Sequence, residues 1–402
     1  MNIYLVTNTT GFPNGTAAAK RIRMLGRAII ASGSSFSIFT GVLKHNQYNI
    51  KPAGSIDNIY YKYLHGTTEL RVGTGQKILL YIKSIIALKK ALQKMNPLNT
   101  IVYIYSHGDI YNIITLLLCR FYSIKTVEEI NEWDYDEMKS PLRKFIFRVP
   151  MVKWSHGATV ISQNIEENVL RINPHLKTLV IPVLDDCACY KTMPAIPAVN
   201  KYCFWMGLVD GYIEDVLFII ESCALAYKKG YEMDIVISGP CINSLEKIKE
   251  KMRSVNYPQN KLKMVGYVSD DALNRLCQNA FFYIVPLWVS QKSQNRFPTK
   301  IASFMFSGKP VLTCKIGEVG HLLTENSNVL FYTPGDSNDL ANKIGLIYND
   351  TILYDKICIN AKQFALVHFD YDQYKNALSS FFNEILNAKK ISYTKKSLVS
   401  HA

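Results

Sequence analysis

The sequence predicts an α/β protein of two domains, each built on a mostly parallel sheet. An apolar strand at residues 3–7 leads through a glycine-containing loop into a helix at 17–32, and a second strand follows at 36–39. Strand, loop, helix and strand in this order form a βαβ unit, which favours parallel pairing. A second series of such units begins at residue 202, after a stretch at 185–200 that contains two prolines and no periodicity.

We therefore place the domain boundary in that stretch. The first domain is predicted to span residues 1–188 and the second residues 189–369, followed by a final helix at 370–388 and a basic tail at 389–402. The 402 residues are 48% hydrophobic, which is enough for two domains with separate cores.

Charge is distributed unevenly along the chain. The formal net charge is +14, and residues 1–100 contain 13 Lys and Arg against 2 Asp and Glu. Nucleic acid, an anionic membrane surface or an acidic substrate would each account for this excess. We find no helix-turn-helix, RNA-recognition or zinc-finger pattern, so we predict no nucleic-acid partner. A Lys-rich composition without any particular partner is the alternative.

Targeting and metal-binding signals are lacking. Residues 1–6 resemble a strand rather than a signal peptide, and the longest aliphatic run, 113–118, is far shorter than the roughly 20 residues that span a bilayer. The nine cysteines contain no C-x-x-C pair, and Cys187 and Cys189 have a poor spacing for zinc. We predict a cytoplasmic protein with reduced thiols, no metal and no cofactor.

Residues 296–313 organise the second domain. Pro298 suits the first position of a helix, Gly308 suits the left-handed residue after its end, and Pro310 prevents continuation. Apolar strands are predicted before this helix, at 281–285, and after it, at 311–313.

The helix has two different faces. At about 100° per residue, one side is apolar and the other carries small hydroxyl side chains. The apolar side holds Ile301, Phe304 and Met305, and the hydroxyl side holds Thr299 and Ser303. The free N–H groups of the first turn, with Arg296 and Lys300 beside them, would form a phosphate cradle at the carboxyl end of a parallel strand. A solvated surface helix fits the same pattern equally well.

A family resemblance favours the first interpretation. The motif Phe-Pro-Thr-Lys-Ile-x-x-(Phe/Tyr)-Met-x-x-Gly-Lys-Pro-Val at residues 297–311 resembles the donor-site helix of GT-B glycosyltransferases of the family 4 type. Residues 316–320, Asn328 and 334–336 continue the family pattern in order. The resemblance covers most of the chain and implies two Rossmann-like domains with parallel sheets facing across a cleft. It also implies that the final helix crosses back to the first domain.

The resemblance implies transfer of a sugar from a nucleotide-sugar to a hydroxyl of a lipid-linked or cell-surface glycan, with retention and without a metal. Positive charge would stabilise the departing diphosphate, and we assign this catalytic role to Arg296 and Lys300. The donor-binding residues that it suggests are Gly15, Gly207, Gly239, Tyr267, Val268, Phe297, Pro298, Thr299 and Ser303.

The chain also departs from the family pattern. Relatives usually carry a ribose-binding Glu at the position of Ser303, and often a second acidic residue at the position of Asn295. Many have an Arg or Lys directly after the position of Gly207 and a Lys five residues on, where this chain has Leu208 and Ile213. These losses favour a rival hypothesis, a non-catalytic GT-B protein that binds glycan or partners an active transferase. A GT-B epimerase fits the Pro-Thr-Lys helix poorly.

The acceptor is expected at the first domain. Residues 126–130 form a strand that runs into an acidic and aromatic loop, and such loops suit sugar hydroxyls and apolar sugar faces. We favour Glu132 over Glu129 as the acceptor contact, and His107, in the loop after the preceding strand, as a second candidate. A solvated acidic loop and a merely exposed His are the alternatives.

Two helices indicate a membrane surface. Residues 141–154 interleave basic and aromatic side chains, and lysines project within a narrow arc of a helix at 76–95. We predict peripheral association through residues 77–94 and 141–154 with the anionic inner face of the cytoplasmic membrane. The alternative is that the aromatic side chains are core and the charges face solvent.

Overall fold

The computed structural model describes residues 1–14, 17–46, 48–105, 109–133, 135, 138–190 and 201–388, and contains two sheets that follow one another along the chain. The first sheet has eight strands in the order β3-β4-β2-β1-β5-β6-β7-β8, and its neighbours pair in parallel except for β3 and β4. Its strands are β1 (Asn2–Thr7), β2 (Ser35–Thr40), β3 (Ala53–Ile56), β4 (Ile59–Tyr63), β5 (Thr100–Tyr105), β6 (Lys125–Ile130), β7 (Gly157–Val160) and β8 (Lys177–Val180).

Five helices connect these strands. They are α1 (Ala17–Ala31), α2 (Thr74–Leu92), α3 (Ile110–Phe121), α4 (Pro141–Trp154) and α5 (Gln163–Ile172). Asp109 and Ser162 cap the starts of α3 and α5 by accepting hydrogen bonds from backbone N–H groups of the first turn. Helix α3 contacts both α2 and α4, so these three helices form one layer.

The second sheet has six strands, all parallel, in the order β11-β10-β9-β12-β13-β14. They are β9 (Tyr202–Met206), β10 (Asp234–Ser238), β11 (Leu262–Gly266), β12 (Phe282–Val285), β13 (Val311–Thr313) and β14 (Leu330–Phe331). The strand order reverses direction between β9 and β12. Open parallel sheets bind ligands outside the carboxyl ends of their strands at such a switch point.

Nine helices of the described chain follow β9. They are α6 (Ile213–Lys228), α7 (Leu245–Ser254), α8 (Asp270–Asn279), α9 (Gln291–Asn295), α10 (Thr299–Phe306), α11 (Gly317–Leu322), α12 (Ser337–Asn349), α13 (Thr351–His368) and α14 (Lys375–Asn387). Helix α14 packs against α1, β5 and β8 of the first sheet. The chain therefore crosses between the two halves twice, once near residue 185 and once near residue 370.

The organising helix largely agrees with the sequence. Gly308, which follows the C-cap residue Ser307, has φ +67 as its position predicts, and β13 comes next. Pro298 is the residue before the helix rather than its first residue. Ser303, predicted on an open face, is only 7% exposed, because residues 185–190 and α1 cover that side.

Helix α3 is only partly buried, although its sequence is almost entirely apolar. Tyr111, Leu116 and Cys119 are buried, but Ile110 and Phe121 are 61% and 78% exposed. Its outward face has no strand or helix of the described chain packed over these side chains. Because the sequence of α3 is almost uniformly apolar, it does not indicate which side of the helix faces the sheet.

Candidate active site

Three glycines bring the ends of neighbouring strands together in the second domain. Gly207 follows β9, Gly239 follows β10 and Gly266 ends β11. The Gly207 N–H donates to Ser238 O at 3.0 Å, and the Gly239 N–H donates to Gly266 O at 2.7 Å. A Cβ on Gly239, which has φ +131, would lie 1.8 Å from Gly207 O, so only glycine fits. The predicted donor residues Gly207 and Gly239 thus share one edge of the sheet.

Lys300, in the first turn of α10, reaches to this same edge. Its Nζ donates to Met206 O at 2.9 Å and lies 4.5 Å from the centroid of the Trp205 ring. The Tyr212 ring, just before α6, is 5.8 Å away. Burial lowers the pKa of the Lys300 ammonium to about 8. The ammonium is therefore desolvated at the end of β9, next to the start of α6.

Arg296 and Asp215 accompany Lys300. Asp215, in the first turn of α6, is 7% exposed and accepts a hydrogen bond from Trp288 Nε1 at 2.7 Å. Burial raises the pKa of the Asp215 carboxyl, and the Trp288 hydrogen bond and the charges of Lys300 and Arg296 oppose this shift. The buried Nε of Arg296 has no hydrogen-bond acceptor within the described chain. The two predicted catalytic cations are therefore brought together, and one retains an unused donor.

The rest of the α10 motif divides between surface and core. Thr299 is exposed and Pro298 is half-buried, whereas Phe297 is 2% exposed and its ring packs 5.3 Å from the ring of Phe369. The side chain of Phe297 belongs to the core and has no open face for a donor. Phe297 therefore belongs to the motif because its ring packs in the core.

Ser303 contacts the first crossover. Its Oγ donates to Asp185 Oδ2 at 2.7 Å, and Lys20 Nζ of α1 donates to Ser303 Oγ at 3.3 Å. At the second departure from the family pattern, Asn295 O accepts a hydrogen bond from Ser162 Oγ at 2.7 Å. Both positions where relatives are acidic therefore form contacts between the two domains.

A buried carboxylate strengthens the contact near Asn295. Glu318 Oε2, on α11, accepts the N–H of Gln163 at 3.1 Å at the start of α5. Asn164 Nδ2 of the same helix donates to Gln294 O at 2.7 Å. A carboxylate at a helix N-terminus is favourable because it meets free N–H groups and the positive end of the helix dipole. Polar contacts therefore join the two domains on this side of the cleft.

The loop after β11 reaches the opposite domain at the rim. Tyr267 is 64% exposed, and Val268 beside it is half-buried. The ring of Tyr267 stacks on Tyr48, from the loop after β2, with centroids 5.2 Å apart. These two predicted donor residues thus follow the same glycine-lined strand ends that Lys300 approaches.

The acceptor candidates have different environments. Glu132 is exposed in the loop after β6. Glu129 is fully buried, where it binds Arg21 Nε at 2.5 Å and accepts hydrogen bonds from Tyr103 and Thr159. Glu129 is thus a structural anchor, which agrees with the preference for Glu132. Gly15 and His107 lie outside the described residues.

Sequence reasoning missed four side chains of this region: Asp215, Trp288, Asp185 and Lys20. Asp215 and Trp288 follow the ends of β9 and β12, so their nearness to strand ends was an available signal. Asp185 and Lys20 are 165 positions apart and meet at 2.6 Å. No local pattern indicates that contact.

Comparisons with known proteins agree with this geometry. Residues 200–350 match the family model of glycosyl transferases group 1. Sucrose-phosphate synthase from Thermosynechococcus elongatus has a TM-score of 0.75 at 14% identity, covering 97% of this chain and 100% of its own. A glycosyltransferase from Rickettsia africae has a TM-score of 0.71 at 16% identity, covering 96% and 99%. The chain has the GT-B glycosyltransferase fold.

A further GT-B structure, HepE from Anabaena in complex with UDP, has a TM-score of 0.69 at 15% identity and covers 96% of this chain and 100% of its own. No curated protein sequence matches the chain. The predicted GT-B fold is confirmed, and the family match over residues 200–350 supports the prediction of a glycosyltransferase. Within the described residues, no helix is long and apolar enough to cross a bilayer.

Proposed function

We propose that this GT-B glycosyltransferase moves a sugar from a nucleotide diphosphate to a hydroxyl of a glycan acceptor, with the donor diphosphate bound at Lys300. The observation that carries this proposal is the position of the Lys300 ammonium, 2.9 Å from Met206 O. It lies at the strand end where relatives place an Arg and a Lys, and where this chain has Leu208 and Ile213. Lys300 thus restores positive charge to the site from a different element.

The chemistry requires charge stabilisation rather than a protein nucleophile. As the bond from the anomeric carbon to the diphosphate oxygen breaks, negative charge grows on the leaving group. The Lys300 ammonium, the unused Nε donor of Arg296 and the N–H groups at the start of α6 would all stabilise it. Before the donor binds, the negative charge of the Asp215 carboxylate stabilises the nearby cations of Lys300 and Arg296.

The nature of the donor is a further part of the proposal. HepE was solved with UDP, and a uridine diphosphate sugar is the donor that we expect here. The base would lie at the loop of Tyr267 and Val268, and the diphosphate between this loop and α10. Retention at the anomeric carbon, and transfer without a metal or other cofactor, follow from the family resemblance and belong to the same proposal.

The acceptor hydroxyl would approach from the first domain. Glu132 is exposed beside Trp133, whose ring lies 5.9 Å from Tyr135. A carboxylate next to aromatic rings accepts hydrogen bonds from sugar hydroxyls while the rings cover an apolar sugar face. We propose Glu132 as the acceptor-orienting residue and a lipid-linked or surface glycan as the acceptor.

The first domain also has a surface suited to a membrane. On α2, one exposed stripe carries the apolar side chains Ile78, Ile82 and Ile86, which are 57%, 48% and 50% exposed. Exposed Lys77, Lys83, Lys89, Lys90 and Lys94 accompany it. An exposed apolar stripe flanked by basic side chains is typical of interfacial helices.

The neighbouring helices extend this apolar surface. Phe121 of α3 and Leu142 and Phe145 of α4 are 78%, 66% and 64% exposed, and α3 contacts both of its neighbours. We propose that this layer binds the anionic inner face of the cytoplasmic membrane, where a lipid-linked acceptor would be found. Lys and Arg side chains near such a surface contribute about 1 kcal/mol each.

Replacement of Lys300 tests the proposed site. Lys300→Ala should lower kcat/KM for transfer from a uridine diphosphate sugar to a polyprenyl-diphosphate-sugar acceptor by at least about 100-fold, as for the loss of one charge-stabilising donor. Lys356→Ala, an exposed lysine on α13, is the matched control. Undiminished turnover by the Lys300 variant would exclude the assignment.

The non-catalytic alternative is favoured by two departures from the family pattern, Ser303 in place of Glu and the loss of the diphosphate-binding Arg and Lys at Leu208 and Ile213. It predicts no binding of UDP, GDP or their sugars at millimolar concentration in isothermal titration calorimetry. The proposed function predicts binding of at least one of these nucleotides, together with turnover of its sugar.

A further inference from the structure

Asp185 lies where the two crossovers near residues 185 and 370 meet, a place that we call the hinge. Its carboxylate is 3% exposed, and the single oxygen Oδ2 accepts from three side chains. Lys20 Nζ lies at 2.6 Å, Ser303 Oγ at 2.7 Å and Tyr190 OH at 3.0 Å. Lys20 belongs to α1 of the first domain, and Ser303 belongs to α10 of the second. One carboxylate oxygen therefore connects both domains.

The backbone of Asp185 connects the two crossovers as well. Its N–H donates to Phe369 O at 2.8 Å, and its carbonyl accepts from the Tyr371 N–H at 3.1 Å. The next residue, Asp186, binds Arg27 of α1 at 2.6 Å. Asp185 is thus fixed at the point where the chain passes from one domain to the other in both directions.

Helix α10 is attached to this point along two turns. Besides the Ser303 hydrogen bond, the ring of Tyr190 stacks on Phe306 at the end of α10, with centroids 5.3 Å apart and planes 11° apart. The helix that carries Lys300 therefore has its orientation relative to the first domain determined by contacts that meet at Asp185.

We propose that Asp185 is a positioning residue for sugar transfer, and that its carboxylate takes the space of the family Glu at position 303 without taking over the ribose contact of that Glu. The inference rests on the proposed function. Asp185 holds α10, and with it Lys300, in the orientation that the acceptor domain requires. Its Oδ2 already has three donors and Oδ1 accepts the Asp186 N–H at 2.8 Å, so it acts through these contacts and not by touching the donor.

Size and charge explain why Ser303 accompanies Asp185. A Glu at position 303 would bring a second carboxylate into the space where Ser303 Oγ meets Asp185 Oδ2 at 2.7 Å. Two carboxylates sharing a buried site repel each other, so one must leave or take up a proton. A Glu at 303 and an Asp at 185 are therefore mutually exclusive, and the family departure at 303 is an exchange.

A double-mutant cycle tests the exchange. Ser303→Glu and Asp185→Ser should each lower kcat about tenfold or more, and the double variant should recover most of this loss, because contacting residues are strongly coupled. The affinity for UDP should change less than about threefold in Asp185→Ser, since the residue positions α10 without touching the donor. Asp185→Asn preserves the shape and one acceptor oxygen, but it loses the charge and places an NH2 donor where a second oxygen accepts; it should still retain more activity than Asp185→Ser.

Thermal unfolding gives a second measurement that does not depend on activity. Ser303→Glu should lower Tm in the native background and much less, or not at all, in the Asp185→Ser background. If Asp185→Ser does not fold, a second cycle combines Lys20→Met with Ser303→Glu. Because Lys20 no longer neutralises the carboxylates, the double variant should lower Tm by more than the sum of the two single changes.

Three results would overturn the inference. These are additive effects on Tm and kcat, a Ser303→Glu variant as active and stable as the native protein, and a loss of UDP affinity in Asp185→Ser that matches its loss of kcat. The proposed function fails separately, when the native protein neither binds a nucleotide nor transfers a sugar. In that case the Tm cycle still tests whether positions 185 and 303 tolerate only one carboxylate between them.

Discussion

Tyr48 of the first domain and Tyr267 of the second stack across the rim of the cleft, with ring centroids 5.2 Å apart and planes 17° apart. Asn14, hydrogen-bonded to Tyr48 O and to the Asn49 side chain, fixes the loop that carries Tyr48. Tyr267 directly follows the end of β11, where we propose that the donor base binds. This stack joins the two domains at the rim, as the polar contacts of Asp185 join them at the hinge.

We expect this stack to slow donor release. An aromatic pair of this kind contributes about 0.5–1.5 kcal/mol, so Tyr48→Ala should raise the dissociation rate of UDP about 2- to 12-fold. Stopped-flow measurement of UDP release provides the value. Tyr60→Ala, an exposed tyrosine on β4 of the same domain, is the control. An unchanged rate would mean that the rim contact does not retain the nucleotide.

The lowered pKa of Lys300, about 8, predicts proton uptake when the donor binds. In the free protein the ammonium loses its proton as pH rises through about 8, whereas a bound diphosphate favours the charged form and raises this pKa. Binding of UDP at pH 8–9 should therefore take up a fraction of a proton, and binding near pH 7 much less. Affinity should fall as pH rises above about 8.

Calorimetric titrations of UDP in buffers with different ionisation enthalpies measure this uptake. Lys300→Met should bind UDP more weakly and show no dependence of the binding enthalpy on the buffer above pH 8. A native protein whose binding enthalpy is the same in Tris and in a low-enthalpy buffer at pH 8.5 would contradict the role of Lys300.

The buried pair of Arg21 and Glu129 predicts a large effect on stability. Their side chains are 4% and 0% exposed, and the Arg21 guanidinium also donates to Pro182 O at 2.8 Å and Ile181 O at 3.0 Å. Arg21→Leu leaves a buried carboxylate without its cation and should cost about 3–5 kcal/mol in the free energy of unfolding. Urea denaturation measures this value.

The matched control is two residues further along α1. Arg23 Nε lies 2.6 Å from Asp57 Oδ2, but both side chains are partly exposed, at 34% and 28%. Arg23→Leu should cost about 0–1 kcal/mol, since solvent screens the pair. Equal losses for the two variants would show that burial does not increase the contribution of the Arg21 pair to the free energy of unfolding.

The membrane proposal depends on the exposed stripe of α2. Ile82→Glu with Ile86→Glu should abolish flotation with vesicles of phosphatidylcholine and phosphatidylglycerol at low salt, because the change removes apolar contact and adds negative charge. Both side chains are about half exposed, so the fold should be retained. Ile352→Glu, 82% exposed on α13, is the control. A native protein that does not float at low salt refutes the proposal.

Much of the chain followed from local pattern. The βαβ start at β1, α1 and β2, the Ser269 cap of α8 and the left-handed Gly308 all agree with the sequence, because capping and chain reversal depend on a few neighbouring residues. The faces of α3 and α10 were harder to predict. Ser303 belongs to the hydroxyl side of its helix, yet it is buried by a crossover 118 positions earlier in the chain.

The sequence by itself determined the fold class, the GT-B resemblance and the two cations of the α10 motif, because periodicity and motif spacing are properties of adjacent residues. Only the tertiary structure decided that Lys300 reaches the end of β9, that Asp215 and Trp288 surround it, and that Asp185 meets Ser303 at the hinge. These partners are brought together by sheet order and domain packing, and the chain between them can be of almost any length. No local sequence pattern therefore predicts these contacts.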